Sequence, residues 1–339
     1  MDPVTQGALG AVVAQGLAGR RKLAAIACYG AVAGMAPDLD VLIQSPDDPL
    51  LFLEFHRQFT HSLFFIPFGA LVVAWLMYWL GERGCFWKGL SWREAYLASL
   101  AGYATHGLLD ACTSYGTQLF WPFTDFRAAW DLISIIDPVF TFPILAAVLL
   151  AGSRHRRWIA GAACGWAALY LSVGALQQQR ALDAAMDVAA LRGHVPEQIS
   201  VKPSFANLLL WKAIYRHEGR FYVDGIRAGT EILWCVGQSI ETLKLERDFP
   251  ALAADSLQAR DIQRFRWFSD DHLAVHQGYS RIVDMRYSLI PTSIDPMWGI
   301  EVDQGQQDRH VRWWADRTMS ADQRRDFLSL LLGGSCVAL

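Results

Sequence analysis

Charged residues are scarce in this sequence. Asp, Glu, Lys and Arg make up 19% of 339 residues against a hydrophobic share of 53%, whereas an ordinary soluble protein is nearer a quarter charged. Mean hydropathy is positive, at +0.19. No basic stripe with interleaved aromatics occurs, and the net charge is −3, which excludes the electrostatic footprint of a nucleic-acid binder. No Cys-x-x-Cys pair exists among the six cysteines. Cys28, Cys85, Cys112 and Cys164 fall in or beside apolar segments, while Cys235 and Cys336 stand alone. All six therefore read as small buried hydrophobes rather than a disulfide or zinc framework. No basic segment precedes the first apolar run, which starts directly after Met1-Asp2, so no cleavable signal peptide is expected. Repeats and low-complexity stretches are also missing.

What is present is unevenly spread. Residues 1–179 hold nearly all the long uncharged runs, and residues 180–339 have the composition of an ordinary globular domain. The runs cover 3–19, 23–37, 62–81, 95–109, 138–153 (extended backwards by 132–136) and 158–179. A bilayer core needs about 20 apolar residues per helix. Two runs meet that length, and four reach it only if the His and Asp at their ends lie near the interface. The expected fold is mainly α: a polytopic transmembrane bundle of about six helices over 1–179, then a small α+β extramembrane domain over 180–339. Within that domain we expect a helix over 180–192 that breaks at Gly193 and Pro196. An Asp224-Gly225 hairpin turn, strands in 279–290 and 298–302, and a closing helix over 321–332 follow.

Basic residues set an orientation. Arg20, Arg21 and Lys22, then Arg83, Lys88 and Arg93, then Arg154, Arg156 and Arg157 fill alternate links, while the opposite loops hold only Arg57 and Arg127. This positive-inside asymmetry predicts a multi-pass protein of the bacterial cytoplasmic membrane, with the second domain outside the cytoplasm.

Eight ionisable residues lie at the ends of the apolar runs, all on that outer side: Asp38 and Asp40, His56 and His61, His106 and Asp110, Asp131 and Asp137. Such groups are unfavourable in a membrane and by default mark a functional site. His and Asp are ligands of hard or borderline divalent metals. His106 and Asp110, spaced i, i+4, project from one helix face. Asp38 and Asp40 follow Pro37, where an extended turn lets both approach an ion; a solvated acidic loop continuing to Asp47 and Asp48 is the plain alternative. Thr60 reads as the N-cap of the third helix, which puts His61 in its first turn and leaves His56 as a further ligand or proton donor. Arg57 suits a substrate anion. Asp137, before a proline at the mouth of an apolar helix, is the preferred general base, and Asp131 is placed to orient a ligand His. Phe120, Trp121, Pro122, Phe123 and Trp130 read as an interfacial belt.

The stretches 1–10 (Met-Asp-Pro-Val-Thr-Gln-Gly-Ala-Leu-Gly), 37–40 (Pro-Asp-Leu-Asp), 56–62 (His-Arg-Gln-Phe-Thr-His-Ser), 106–123 and 135–138 (Ile-Ile-Asp-Pro) together resemble the YdjM/DUF457 family of membrane-bound, metal-dependent hydrolases. The resemblance covers roughly residues 1–180 and extends loosely to 203–222, around Asn207-Leu-Leu-Leu-Trp-Lys212. It implies metal and catalytic roles for Asp38, Asp40, His56, His61, His106, Asp110 and Asp137. Gln6 departs from the pattern, since many relatives carry a His near the N-terminus.

The resulting expectation is a hydrolase of ester or phosphoester bonds that uses one or two divalent ions, Zn²⁺ before Mn²⁺. Asp38, Asp40, His56, His61, His106 and Asp110 are the metal residues, and Asp137, Arg57 and Asp131 are the catalytic ones. The expected substrate is a membrane lipid or lipid-linked molecule, with no nucleic-acid partner. Two other classes fit the same residues: a proton- or cation-coupled transporter, and a non-catalytic scaffold with a structural metal.

Overall fold

The structure is a computed structural model that describes residues 1–19, 22–81, 89–276, 280–334 and 336–339. Arg20, Arg21, Arg83, Cys85, Lys88 and the start of the strand expected from 279 lie outside the described residues. The chain divides into two units. One comprises Met1–Leu42, Phe55–Ala175 and Phe205–Asn207; the other comprises Ile43–Glu54, Leu176–Ser204 and Leu208–Leu339.

The first unit is helical. Asp2 caps α1 (Pro3–Leu17) by accepting from the Thr5 amide at 3.0 Å, with Pro3 at the first helical position, where its missing N–H is no loss. α2 (Leu23–Met35) runs into a 3-10 stretch, Ala36–Leu42. A 3-10 turn, Phe59–His61, comes ahead of α4 (Ile66–Gly81); the short α3 (Leu51–Phe55) before it falls in the second unit except for its last residue. A Ser91/Glu94 capping box starts α5 (Trp92–Ala111), and Asp137 caps α6 (Pro138–Arg154). α7 (Arg157–Leu191) is 35 residues long. The core of α1, α2, α4 and α5 is built from Ala14, Ile26, Tyr29, Ala33, Val73, Met77, Ala98 and Tyr103. α1, α2 and α5 meet through small residues, as membrane helices commonly do. A methyl at Gly102 would overlap the Gly30 carbonyl, and one at Gly30 would lie 2.5 Å from the Gly10 carbonyl oxygen.

Among the described residues, two helical segments are long and apolar enough to cross a membrane, Leu23–Leu42 and Arg157–Leu191; a pair bent by 85°, Leu51–His61 with Ile66–Gly81, makes a third if it counts as one span. This corrects the expected count of about six. α1, α4 and α6 have 15, 16 and 17 residues, short of the roughly 20 that a bilayer core requires. α5 has the length but carries Arg93, Glu94, His106 and Asp110. Residues 132–136 do not extend α6 backwards, because the helix starts at its Asp137 cap. The separate helix expected over 180–192 is the continuation of α7.

The second unit is a β-sheet domain. β1 (Gln198–Pro203), β2 (Leu210–His217), β3 (Arg220–Ala228), β4 (Ile232–Glu241) and β9 (Val337–Ala338) form one antiparallel sheet in that order. β5 (Leu273–His276), β6 (Arg281–Asp284), β7 (Trp298–Glu301) and β8 (Arg312–Ala315) form a second. The helices α8 (Leu245–Asp248), α9 (Leu257–Phe268) and α10 (Ala321–Leu332) complete the unit. Period-2 alternation along β2 sorts its residues between two cores. Trp211 and Ala213 pack with Ala181, Ala184, Ala185 and Val188 from the end of α7, while Ile214 joins Phe221, Val223, Val283 and Met285.

Two expectations fail here. Asp224-Gly225 is not a turn but lies within β3 at a bulge. Asp224 is needed there as an acceptor, taking two bonds from Arg192 (2.6 and 2.8 Å) and one from the Trp234 indole (2.9 Å). Cys235 and Cys336, read as unpaired, form a disulfide across 101 residues, a separation at which sequence spacing carries no pairing signal.

Candidate metal centre

Four side chains converge at the ends of three helical elements. Asp38 comes from the 3-10 stretch after α2, His61 from the turn before α4, and His106 and Asp110 from the last turns of α5. One ligand atom from each lies within 4.8 Å of all the others. Asp38 Oδ1 is 3.5 Å from His61 Nε2 and 3.4 Å from His106 Nε2. Asp110 Oδ2 is 3.3 Å from His61 Nε2 and 3.8 Å from His106 Nε2. The two Nε2 atoms are 2.9 Å apart. Ligands about 2.0–2.1 Å from a tetrahedral ion stand about 3.3 Å from one another, which matches this spacing.

The other ring nitrogens fix the protonation. His106 Nδ1 lies 2.5 Å from the Gly34 carbonyl oxygen, which can only accept, so Nδ1 carries the hydrogen. Thr60 Oγ1 donates its one proton to Asp40 Oδ2 at 2.7 Å, so it must accept from His61 Nδ1 at 3.0 Å. Asp40 Oδ2 also lies 3.1 Å from that nitrogen. In the neutral rings both Nε2 atoms therefore present lone pairs to each other. Asp110 Oδ2 is buried beside them and accepts no hydrogen bond, although Arg57 Nε lies 3.1 Å away, out of line. A proton on one ring would satisfy one of these facing atoms; a divalent cation would satisfy all four. The donor set fits such an ion, and the carboxylate and carbonyl behind the two rings are the outer partners that metal-bound histidines usually have.

Asp40 belongs to the supporting layer. Its Oδ1 accepts from His56 Nδ1 at 2.7 Å and its Oδ2 from the Arg57 amide at 3.0 Å. His56 thus stands behind the centre, bonded to Asp40 and edge-on to the His61 ring at 5.8 Å. Arg57, buried with its backbone at φ 66°, donates to Thr113 Oγ1 at 3.0 Å and lies over the Tyr115 ring. Asp137 is not with the four. Its Oδ1 caps α6 through the Val139 and Phe140 amides, and its Oδ2 accepts from the Tyr170 hydroxyl at 2.8 Å. Asp131 is buried in the connection before α6, at φ 54°. Asp38 alone among the four has a partly exposed side chain, at 23%, so solvent reaches the centre along it.

Other supporting groups were not singled out as such from the sequence. Gln6 donates to Asp110 Oδ1 at 2.8 Å, and the Met1 nitrogen lies 2.5 Å from the same oxygen. Gln6 therefore holds a ligand rather than being one of the four. Gly107 packs against the His61 carbonyl so closely that a Cβ would overlap it. Thr60 does not cap α4, which begins five residues after His61 at Ile66; its hydroxyl serves the Asp40–His61 pair. The sequence marks Gln6 only as the position where many relatives carry a His, and nothing in it marks Gly107.

Residues 1–181 match the family described as YdjM inner membrane protein. A protein of Bacillus subtilis (strain 168), named Uncharacterized protein YfhP, is 27% identical over 130 residues, which is 38% of this chain and 36% of that protein. The similarity thus spans about a third of the relative's own length. No solved structure matches.

Proposed function

From the premise that the chain belongs to the YdjM inner membrane protein family, we propose that it is a membrane-bound, metal-dependent hydrolase of a phosphoester or lipid-linked substrate. The observation that carries the reading is the pair of imidazole Nε2 atoms facing each other at 2.9 Å with Asp38 and Asp110 oxygens beside them. Asp38, His61, His106 and Asp110 hold the ion, and the N₂O₂ donor set suits Zn²⁺ or Mn²⁺. When bound, such an ion supplies Lewis acidity and a water of lowered pKa. Asp40 and the Gly34 carbonyl keep the two rings in the ligating tautomer. Arg57 sets a fixed positive charge beside Asp110 Oδ2, where it counters a substrate anion or the carboxylate itself. His56, partly exposed and held by Asp40, is the group placed to exchange a proton with solvent.

The centre faces away from the cytoplasm in this reading. Its residues lie where α2 and α5 end and before α4 begins. Lys22 and Arg93 mark the other ends of α2 and α5, and Arg154, Arg156 and Arg157 lie where α6 ends and α7 begins, the positive-inside pattern. Substrate esters at that interface are lipid head groups or their soluble precursors. The test is hydrolysis of a panel of phosphoester and lipid-linked substrates by detergent-purified protein. Activity should require added Zn²⁺ or Mn²⁺ and vanish in His106→Ala; metal-loaded protein that turns over none of the panel contradicts the hydrolase.

A structural metal is the second reading. It is favoured by the lack of any exposure at His61, His106 and Asp110, because four protein donors complete a tetrahedral ion. Cobalt-substituted protein whose absorption spectrum is unchanged by azide or phosphate would support that reading instead.

A further inference from the structure

Among the described cysteines, the two units differ in thiol chemistry. Cys28, Cys112 and Cys164, in the helical unit, are free thiols. Cys235 and Cys336, in the β-sheet unit, are joined. Cys235 is fully buried on β4 within a core of Leu210, Ile290, Phe327 and Leu330. Gly333, in the left-handed conformation at φ 84°, ends α10 and turns the chain back toward β4. β9 then pairs with β4 through only two residue pairs, Leu233↔Ala338 and Trp234↔Val337, and both of its residues are exposed. So short an exposed strand has little hold of its own. The covalent bond beside it fixes its register and ties the end of α10 to the sheet.

Disulfides persist where thiols are oxidised and are rare in the bacterial cytoplasm. We infer that the β-sheet unit matures on the extracytoplasmic side of the membrane, where a disulfide-bearing thiol oxidase closes Cys235–Cys336 and so locks β9 and α10 onto β4. In that step two Cys thiols and the donor's disulfide exchange to give the protein disulfide and the donor dithiol, with no other reductant or oxidant. The inference rests on the outward orientation proposed above and is independent of hydrolysis. It agrees with the basic-residue asymmetry, although the cysteines play no part in that asymmetry.

The experiment uses the full chain in bacterial membranes, with Cys28→Ala, Cys85→Ala, Cys112→Ala and Cys164→Ala, so that only Cys235 and Cys336 remain. Cells are quenched in acid, free thiols are blocked with N-ethylmaleimide, and the protein is then reduced and labelled with a polyethylene-glycol maleimide. Both thiols should take the label only after reduction, and should be blocked beforehand in cells lacking the extracytoplasmic oxidase. Thiols already blocked in oxidase-competent cells, or a bridge that forms equally without the oxidase, overturn the inference. In a second measurement, intact cells are treated with dithiothreitol and a membrane-impermeant maleimide. Labelling without permeabilisation is expected; labelling only after permeabilisation places the unit in the cytoplasm and also overturns it. Neither readout depends on metal or turnover, so a failure here leaves the hydrolase reading to its own test.

Discussion

His61 and His106 face each other through their Nε2 atoms at 2.9 Å, and each ring's Nδ1 is already committed, to Thr60 and Asp40 in one case and to the Gly34 carbonyl in the other. Two facing lone pairs at this distance call for a proton or a cation between them, and only a cation also engages the Asp38 and Asp110 oxygens beside them.

Asp40→Asn should weaken metal binding without removing a ligand. Outer partners of metal-bound histidines typically contribute 10–100-fold in affinity. We expect a loss in that range, measured by competition with a chelator of known affinity. Asp38→Ala, which deletes a donor, should lose more. Equal losses in the two variants would make Asp40 a ligand.

Asp110→Asn removes the charge that balances buried Arg57. Breaking one partner of a buried pair is destabilising by about 3–5 kcal/mol, so the metal-free variant should melt well below metal-free wild type in detergent. Asp38→Asn, at the exposed edge, should melt close to wild type. The reverse order would contradict the roles given to the two carboxylates.

Gly107→Ala should push the His61 turn away, because the added methyl would overlap the His61 carbonyl. Metal affinity should fall by about tenfold or more, since outer-shell disturbances commonly have effects of that size. Gly161→Ala in α7, where nothing lies within 4 Å, is the control and should leave affinity unchanged.

Lys212 predicts a pH dependence in the β-sheet unit. Burial holds its ammonium down to about 7, against the pull of Asp284 and Asp295, and it donates to Ser288 Oγ at 2.7 Å and the Ser293 carbonyl at 3.2 Å. In the unfolded chain the group titrates near 10.4. Between about 7 and 10.4 the unfolded chain holds a proton that the folded one lacks, so stability rises with pH across that window. The slope is at most about 1.4 kcal/mol per pH unit, and the penalty is complete below pH 7. Lys212→Met should flatten the rise, as followed by denaturant unfolding between pH 7 and 10; an unchanged slope would assign it to other groups.

The sequence carries part of this arrangement openly. The i, i+4 spacing of His106 and Asp110 places both on one face of α5, where they are found. A helical region followed by a sheet domain was likewise readable from where the uncharged runs stop. Asp38 and Asp40 could not be told apart in Asp-Leu-Asp. Residues 36–42 form a 3-10 helix, whose three residues per turn send positions i and i+2 to different sides, one to the cluster and one to His56. Uncharged runs overstate helix length because they include turns such as 62–65, which shorten α4 to 16 residues. The change from apolar to polar at Gln177–Gln179 lies close to the division between the two units, yet it does not end α7. The helix continues through it because no Gly or Pro interrupts, and its alanine face finds the sheet. Asp137 followed by proline reads equally as a catalytic carboxylate and as a cap, and its local hydrogen bonds make it the cap of α6.

The most direct test of the metal centre is the metal content of detergent-purified protein after preparation with added Zn²⁺ or Mn²⁺, with His106→Ala and Asp110→Ala measured alongside. Four donors complete a single tetrahedral ion, so about one ion per wild-type chain is expected and close to none in either variant. Less than about 0.2 ion per wild-type chain, or equal content in all three proteins, would contradict it.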